Sequence, residues 1–460
     1  MLLDSSDARP VHFVGIAGAG MSALAELFVR RGVRVTGCDA SADGSAGLER
    51  AGITAVAGHD PAHVDGARAV VVTSAMPADH PELAQARALG LPVVRRAEAL
   101  GEATTGDGRE LVAVAGTHGK STTTAMTAEA LAAAGRDPTA LVGARVARWN
   151  SNLRAGGDRL YVAEADEYDR SFLALTPTVA VVTNVEADHL DTYADIADIR
   201  RAFTTFIAPA RSIVLCADDA GATALRTPPS SEVIRYGLAS ADARLVGRDI
   251  SLMPSGARFA VEFDGERLGS VDLRVAGRHN VLNALAGIAG GLALGAPFDA
   301  LARGLAEFWG AERRFETLGE ARGVTVVDDY AHHPTEIRAT LAAARASFPG
   351  RRIVVAFQPH LYSRTRDFAR DFAHSLGAGD AVFLTEIYPA REKPIAGVTS
   401  ALIAEGFASS AARLAWRGER AELAGALASA VSAGDVVITM GAGDITRTGP
   451  ELLARLRARA

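Results

Sequence analysis

The stretch "VAVAGTHGKSTTTAMTAEALAAAG", residues 112–135, reads as an apolar strand, a Gly-rich turn and a helix. In such a turn the backbone N–H groups of Gly116, Thr117, His118 and Gly119 can converge on one anion, and the helix N-terminus adds about half a positive charge. Lys120, at the mouth of the helix, is then placed to reach terminal phosphates. Ser121 follows directly, where a phosphate-binding loop puts the hydroxyl that ligates Mg²⁺, and Gly135 is expected to cap the helix C-terminus. The ordinary G-x-x-x-x-G-K-[ST] spacing asks for Gly six residues before the Lys; this chain has Val114 there, with Gly116 two places later. A plainer reading is a strand–helix turn with a solvated Lys. The strand before, the helix after and the Ser-Thr-Thr-Thr run favour a triphosphate.

A phosphate loop needs a carboxylate at the end of a neighbouring strand to hold the metal. Downstream, "YVAEADEYD" (161–169) ends its apolar run at Glu164, and "VVTNVEADHLD" (181–191) carries His189 beyond the next strand. If these strands are parallel neighbours, Lys120, Glu164 and His189 emerge at the same C-terminal edge, where open α/β sheets bind ligands. Taken singly, a carboxylate at a strand end is also a helix cap or a solvated group, and a lone His is also structural.

Upstream, strand "VHFVGI" (11–16), helix "MSALAELFVRRG" (21–32), strand "VRVTGCD" (33–39) and the run "ARAVVVTSA" (67–75) repeat the βαβ unit of a parallel, doubly wound sheet. The turn "FVGIAGAGMS" (13–22) has Gly15, Gly18 and Gly20, but Ala17 where a dinucleotide fingerprint has Gly. Asp39, ending the second strand, stands where an acid would meet a ribose. The competing reading is a tight turn for helix–strand packing.

The polar "TTGDGR" (104–109) marks a first boundary. Beyond it, apolar runs at 111–116, 160–164, 179–184 and 212–219 predict a central parallel sheet, and alternating runs at 257–263 and 269–276 an antiparallel side sheet. After "FWGAERRFE" (308–316) the pattern restarts: strand "GVTVVDDY", helix from Pro334, strand "RRIVVAFQ", helix from Arg366, strand "DAVFLTEI" and a last strand "DVVITMGAGD" (435–444). The expectation is an α/β chain of three domains on mostly parallel sheets: 1–106 Rossmann-like, 107–312 P-loop ATPase-like and 313–460 Rossmann-like.

The 460 residues are 48% apolar and 22% charged, enough to bury a sizeable core in each of two or three domains. A net charge of -6 disfavours nucleic-acid binding. The apolar stretch 283–298 is too short and Gly-rich to span a bilayer, and residues 1–10 lack a signal-peptide core. A cytoplasmic chain without membrane insertion is expected. The two cysteines, Cys38 and Cys216, argue against a disulfide framework and exclude metal-thiolate sites by count; both read as small core residues.

Two further motifs carry side chains suited to recognition. "AGRHNVLNALA" (276–286) sets His279, Asn280 and Asn283 at a helix start, where amides suit a purine edge or simply cap the helix. "VVDDYAHHPTEI" (326–337) is an acidic, His-rich strand end, with His332 and His333 before Pro334 at a first helical position, a metal or general-base candidate.

Taken together, "GIAGAGMSALA", "GTHGKSTTT", "EADEYDRSFL", "TNVEADHLD", "GRHNVLNALA", "RRFE", "DDYAHHPTE" and "FQPHLYSRTRDF", in this order, resemble the Mur ligase family of peptidoglycan synthesis over essentially the whole chain. The resemblance implies ATP-dependent joining of L-alanine to the lactyl carboxylate of UDP-N-acetylmuramate through an acyl phosphate, with Mg²⁺ in two positions. The UDP-sugar would lie at Gly15, Gly18, Ala19, Gly20, Met21, Ser22, Asp39 and Ser74. ATP would lie at Gly116, Thr117, Gly119, Lys120, Ser121 and Thr122. Asn280 and Asn283 would be near adenine, with Arg314 and Asp329 reaching the nucleotide. The resemblance further implies Ser121 and Glu164 on one metal, Glu164 with His189 on another, and Tyr330, His332 and Arg364 at the amino-acid and acyl site, His332 being the candidate base. Catalysis would rest on Lys120, Glu164, His189, His332 and Arg364.

Ala17 and Ser121 depart from the commoner Gly and Thr, and Leu361 sits where some relatives place Arg, which leaves Arg364 as the carboxylate clamp. A ligase that recycles a whole tripeptide onto the same UDP-sugar has a similar "EADEYD" run, while the continuation "FLALTPTVAVVTN" (172–184) favours L-alanine. An NAD-dependent dehydrogenase would have no need of "GTHGKST", and a nucleotide-regulated binding module would bind ATP without forming an amide. The chain is expected to be a monomer or weak homodimer that closes its domains on nucleotide.

Overall fold

Burial on both faces explains the strand that opens the 112–135 stretch: Leu111, Val112, Ala113, Val114 and Ala115 are all sealed from solvent, as residues of an interior parallel strand are. The computed structural model describes residues 2–40, 45–73, 76–77, 79–106, 108–390, 392–409 and 413–458. Its strands form three sheets.

The first sheet comprises Val11–Val14 (β1), Val35–Asp39 (β2), Thr54–Ala57 (β3), Ala69–Val72 (β4) and Val93–Arg95 (β5), in the order β3-β2-β1-β4-β5. All its described pairings are parallel. The chain order reverses between β1 and β4, so the Gly-rich turn that leaves β1 opens at the topological switch point.

The second sheet holds ten strands: Glu110–Ala115 (β6), Thr139–Val146 (β7), Ser151–Arg154 (β8), Leu160–Glu164 (β9), Val179–Val182 (β10), Ser212–Cys216 (β11), Glu232–Gly237 (β12), Leu245–Met253 (β13), Gly256–Phe263 (β14) and Glu266–Leu273 (β15). Their order is β15-β14-β13-β12-β11-β10-β6-β9-β7-β8. Here β6 lies parallel between β9 and β10, which brings the ends of "VAVA", "LYVAE" and "VAVV" to one edge. The expected antiparallel side sheet is a continuation of this central sheet. Parallel pairing of β12 with β13 joins them, and the β14–β15 hairpin turns through Asp264 (φ 51) and Gly265 (φ 85), both in the left-handed region that tight hairpins require.

The third sheet orders Glu316–Ala321 (β16), Val324–Asp329 (β17), Ile353–Phe357 (β18), Ala381–Thr385 (β19), Arg413–Gly418 (β20) and Val436–Met440 (β21) as β16-β17-β21-β18-β19-β20. Only β16 runs antiparallel among the pairings described.

By contact the chain divides into two compact units. One spans 1–248, 260–271 and 282–309; the other spans 249–259, 272–281 and 310–460. The helix expected from Arg366 begins a turn earlier and spans Tyr362–Leu376, preceded by Leu361 at φ 72. No described helix is long and apolar enough to cross a membrane.

Candidate active site

In the first unit, the 116–119 turn is held open by its neighbour strand. Gly116 has φ 140, and a Cβ there would meet Thr183 Oγ1 at 2.0 Å, so only Gly fits. Thr183 Oγ1 donates to the His118 carbonyl (2.6 Å), the Asn184 side chain accepts from the His118 N–H (2.8 Å), and Glu186 N–H donates to Thr117 Oγ1 (2.9 Å). Gly119 (φ 81) packs on Asn283, whose Oδ1 would lie 2.7 Å from an added Cβ and also accepts from Thr123 Oγ1 (3.2 Å). The helix Lys120–Ala133 follows, its buried face including Ser121 and Thr122, and Gly135 (φ 75) closes it as Arg136 N–H returns to the Leu131 carbonyl.

Lys120 Nζ donates to the Gly116 carbonyl (2.8 Å) and makes an ion pair of 2.7 Å with Glu167, which is buried. Burial works against its charge, but the carboxylates of Glu167, Asp166 and Glu164 outweigh it, and the Lys120 pKa is raised. Burial likewise raises the Glu167 carboxyl, opposed by Lys120 and His189. Ser121 Oγ donates to both oxygens of Glu164 (2.9 and 3.1 Å), and Gly143 N–H donates to the same carboxylate (2.7 Å).

His189, at φ 53, has Nε2 3.6 Å from Glu167, and Asp166, Glu167 and His189 each bring one ligand atom within 4.8 Å of the others. Oxygen donors of the Ser121 and Glu164 type suit Mg²⁺, and the carboxylates and imidazole around His189 are donor types that could also hold a cation. The structure thus brings Lys120, Ser121, Glu164 and His189 to one sheet edge. The carboxylates grouped with His189 are Asp166 and Glu167, while Glu164 lies with Ser121.

Glu167 is the functional candidate that sequence reasoning missed. It lies inside the quoted "EADEYD", but nothing local marks it over Asp166, because its partner Lys120 is 47 residues away. Thr183 and Asn184 were equally unmarked.

The first-sheet turn differs in what it holds. Gly15 has φ 80, Gly18 caps the helix Ala19–Arg30, and Ser22 Oγ donates to the Ala19 carbonyl (3.1 Å). Asp39 spends one oxygen on the Ala17 N–H (3.0 Å). Met21 is in the core, so only its backbone is available to a ligand, and Gly20 faces Arg96. Ser74 lies outside the described residues. A cavity of about 640 Å³ opens beside this turn, lined by Ala17, Ala19, Ser22, Glu26 and Arg30 and, from the β7–β8 hairpin, by Arg145, Trp149 and Asn152 among others. That volume suits a small organic ligand.

In the second unit, Asp329 accepts from Phe315 N–H (2.8 Å) and Ala331 N–H (2.7 Å), and burial pushes its carboxyl up to about 6 against the pull of Arg314. Arg314 lies over the Tyr330 ring at 5.1 Å. His332 Nδ1 is 2.9 Å from the Tyr330 carbonyl, an acceptor. Glu336 Oε2 lies 3.2 Å from the same Nδ1. His333 caps the helix Pro334–Ser347. Arg364 is buried with an Nη1–His360 contact of 3.5 Å. Asn280 donates to the Ala276 carbonyl (2.8 Å), and burial pushes the His279 ring down to about 4.

Comparison with known proteins places these regions in sequence families. Residues 10–107 match the Mur ligase family, catalytic domain; residues 114–291 match the Mur ligase middle domain; residues 313–443 match the Mur ligase, glutamate ligase domain. A UDP-N-acetylmuramate–L-alanine ligase of Acidothermus cellulolyticus is 47% identical, over 97% of this chain and 95% of its own. The crystal structure of the UDP-N-acetylmuramate–alanine ligase of Thermotoga maritima superposes with TM-score 0.82 at 30% identity, covering 98% of this chain and 100% of that one. A murein peptide ligase of Psychrobacter arcticus gives 0.72 at 26% identity, over 98% and 99%.

Proposed function

The chain belongs to the Mur ligase family, and from that premise we infer that it joins L-alanine to UDP-N-acetylmuramate, at the expense of ATP, in peptidoglycan synthesis. The observation that carries this reading is the 47% identity along 97% of the chain to an L-alanine ligase. The murein peptide ligase, counterpart of the recycling reading, is less similar in both sequence and structure. A dehydrogenase would leave the Lys120–Glu167 and Ser121–Glu164 pairs without a role.

A carboxylate does not react with an amine in water, so the lactyl carboxylate first attacks the γ-phosphate, displacing ADP, and becomes an acyl phosphate, from whose carbonyl the deprotonated L-alanine amine then displaces phosphate to form the amide. Phosphoryl transfer is mostly positioning and charge neutralisation. In our assignment the 116–119 amides and Lys120 hold the β- and γ-phosphates, and Lys120 exchanges Glu167 for phosphate oxygens. Mg²⁺ would be held by Ser121 with Glu164 and, in a second position, by His189 with the adjoining carboxylates, supplying charge neutralisation of the transferred group. Arg314 and Asp329 are assigned to the nucleotide with Asn280 and Asn283, and Tyr330 and Arg364 to the amino acid and acyl group.

The amine of a free amino acid titrates above about pH 8, so it arrives protonated near neutrality and needs a base. His332 is assigned that task from its place in "DDYAHHP", where the Tyr330 carbonyl and Glu336 both lie against Nδ1 and set the ring's orientation. We keep the boundaries 1–106, 107–312 and 313–460 for the UDP-sugar, ATP and amino-acid regions, and assign the UDP-sugar to the cavity beside Gly15–Ser22.

The test is phosphate release from ATP with UDP-N-acetylmuramate and, in turn, L-alanine, glycine, L-serine and a tripeptide. L-alanine is expected to be the preferred acceptor. Release with the tripeptide alone would replace this reading by the recycling one. For the base, a pH profile of turnover unchanged in His332→Ala would remove His332 from the mechanism.

A further inference from the structure

One face of the first sheet carries a cluster that the ligase reaction leaves unused. Side chains alternate along a strand, and β1 pairs in register with β2 through His12–Thr36 and Val14–Cys38, so His12 and Cys38 share one face. The helix Pro81–Ala88 and the turn Pro61–Val64 belong to this region and bring Glu82 and His63 to the same point. Around it Val14, Val64, Val70, Val72, Leu83 and Ala86 form an apolar shell.

Inside that shell lies a carboxylate with no solvent exposure. Glu82 accepts from the Cys38 thiol (3.0 Å), from Asp60 N–H (3.1 Å) and from His63 Nδ1 (2.8 Å). Among the described residues its ion-pair partners are His59 and His63, both imidazoles. A buried carboxylate is costly unless a positive charge accompanies it.

His12 supplies a second, independent observation. Its ring is 1% exposed, its Nδ1 is engaged by Thr36 Oγ1 at 3.0 Å, and its Nε2 is buried with no hydrogen-bond partner. An orphaned buried nitrogen is costly, and an imidazole fixed through its other nitrogen is how metal-ligating histidines are oriented. One ligand atom from each of His12, Cys38, His63 and Glu82 lies within 4.8 Å of the others.

We propose that this cluster is a structural Zn²⁺ site, with His12 Nε2, the Cys38 sulfur, a His63 nitrogen and a Glu82 oxygen as its four ligands. Zinc bonds of about 2.0–2.3 Å put the corners of a tetrahedron roughly 3.3–3.8 Å apart, a modest contraction of the set. The mixture of sulfur, nitrogen and oxygen selects zinc over Mg²⁺, which takes oxygen ligands. On binding, the Cys38 S–H bond breaks, the S–Zn bond forms and the proton leaves to solvent. This departs from the expectation that two cysteines exclude a metal-thiolate site: one thiolate suffices when two imidazoles and a carboxylate complete the shell.

The test uses the full chain, stripped with a chelator and titrated with Co²⁺, which reports a thiolate ligand through a sulfur-to-cobalt charge-transfer band. One equivalent is expected to develop the band, to be displaced by Zn²⁺, and to be retained in Cys216→Ala. The band disappears in Cys38→Ser, and Thr36→Val weakens binding about 10–100-fold by freeing the His12 ring. Co²⁺ at Ser121 and Glu164 has oxygen ligands and gives no such band, so the two sites are read apart. A wild-type chain that develops no saturable thiolate band overturns the proposal without recourse to any variant; so does a band that survives Cys38→Ser. In either case the cluster is a hydrogen-bonded polar network only.

Discussion

Two strand–Gly turn–helix segments, 13–30 and 113–133, begin alike and end differently. Each leaves an interior strand, parallel to both its neighbours, at a switch in chain order, each turns through a positive-φ Gly, and each opens a helix directly after the turn. Around Gly116–Ser121 the neighbouring strand ends deliver Glu164, Glu167, Thr183 and Asn184 onto the turn. Around Gly15–Ser22 the neighbouring strand delivers Asp39, which braces Ala17, and a cavity is left beside it. The turn provides N–H groups in both places; what the adjacent strand ends carry differs, and on our assignment that difference separates phosphoryl transfer from sugar-nucleotide binding.

The largest expected effect separates the two turns by chemistry. Lys120→Ala should lower the rate of phosphate release by about 10²–10³-fold, in the range seen when one charge-stabilising donor is removed. Asp39→Ala serves as its counterpart, and a comparable loss of kcat there would erase the distinction. Next comes Glu167→Gln, which removes one partner of a buried ion pair and should destabilise the first unit by about 3–5 kcal/mol; calorimetry with and without ATP checks it, since bound phosphates restore a partner to Lys120.

A pair of glycine substitutions sharpens the steric side. Gly116→Ala places a Cβ 2.0 Å from Thr183 Oγ1 at φ 140 and should cost roughly 2 kcal/mol or more. Gly18→Ala meets nothing nearer than the Gly15 carbonyl at 3.5 Å and should cost under about 1 kcal/mol, mostly as a poorer helix cap. Equal shifts in Tm for the two would show that the loops are equally crowded. The smallest effect is that of Asp39→Ala itself: loss of one backbone contact, about 1 kcal/mol, read as a rise in KM for the UDP-sugar with kcat retained.

Much of this comparison could be read along the chain. The core strands were legible because Leu111–Ala115, Val179–Val182 and Val436–Met440 are apolar almost throughout and buried throughout. The β7–β8 hairpin was not, since β7 breaks its buried apolar run at Gly143–Arg145 and the edge strand β8 is polar, so neither shows continuous burial or clean alternation. Nor was the start of the helix at Tyr362, because Leu361 takes a left-handed conformation that its side chain gives no cause to expect. Lys120 and Ser121 stood out from the Gly-rich turn, and Glu164 and His189 from strand ends, whereas Glu167 and the His12–Cys38–Glu82 cluster had no signal in their own neighbourhoods.

The order of apolar runs and Gly turns was therefore enough to determine an α/β chain with a Gly-rich strand–turn–helix and carboxylates along the same sheet edge, since strand burial and turn conformation are local requirements that each segment must meet alone. Which carboxylate faces Lys120, which amide braces Gly119, and that a cysteine, two imidazoles and a buried glutamate converge were decided only by the tertiary structure. Those are pairings between residues tens of positions apart, made when sheet order and register bring distant side chains within a few ångströms, and no local propensity encodes them.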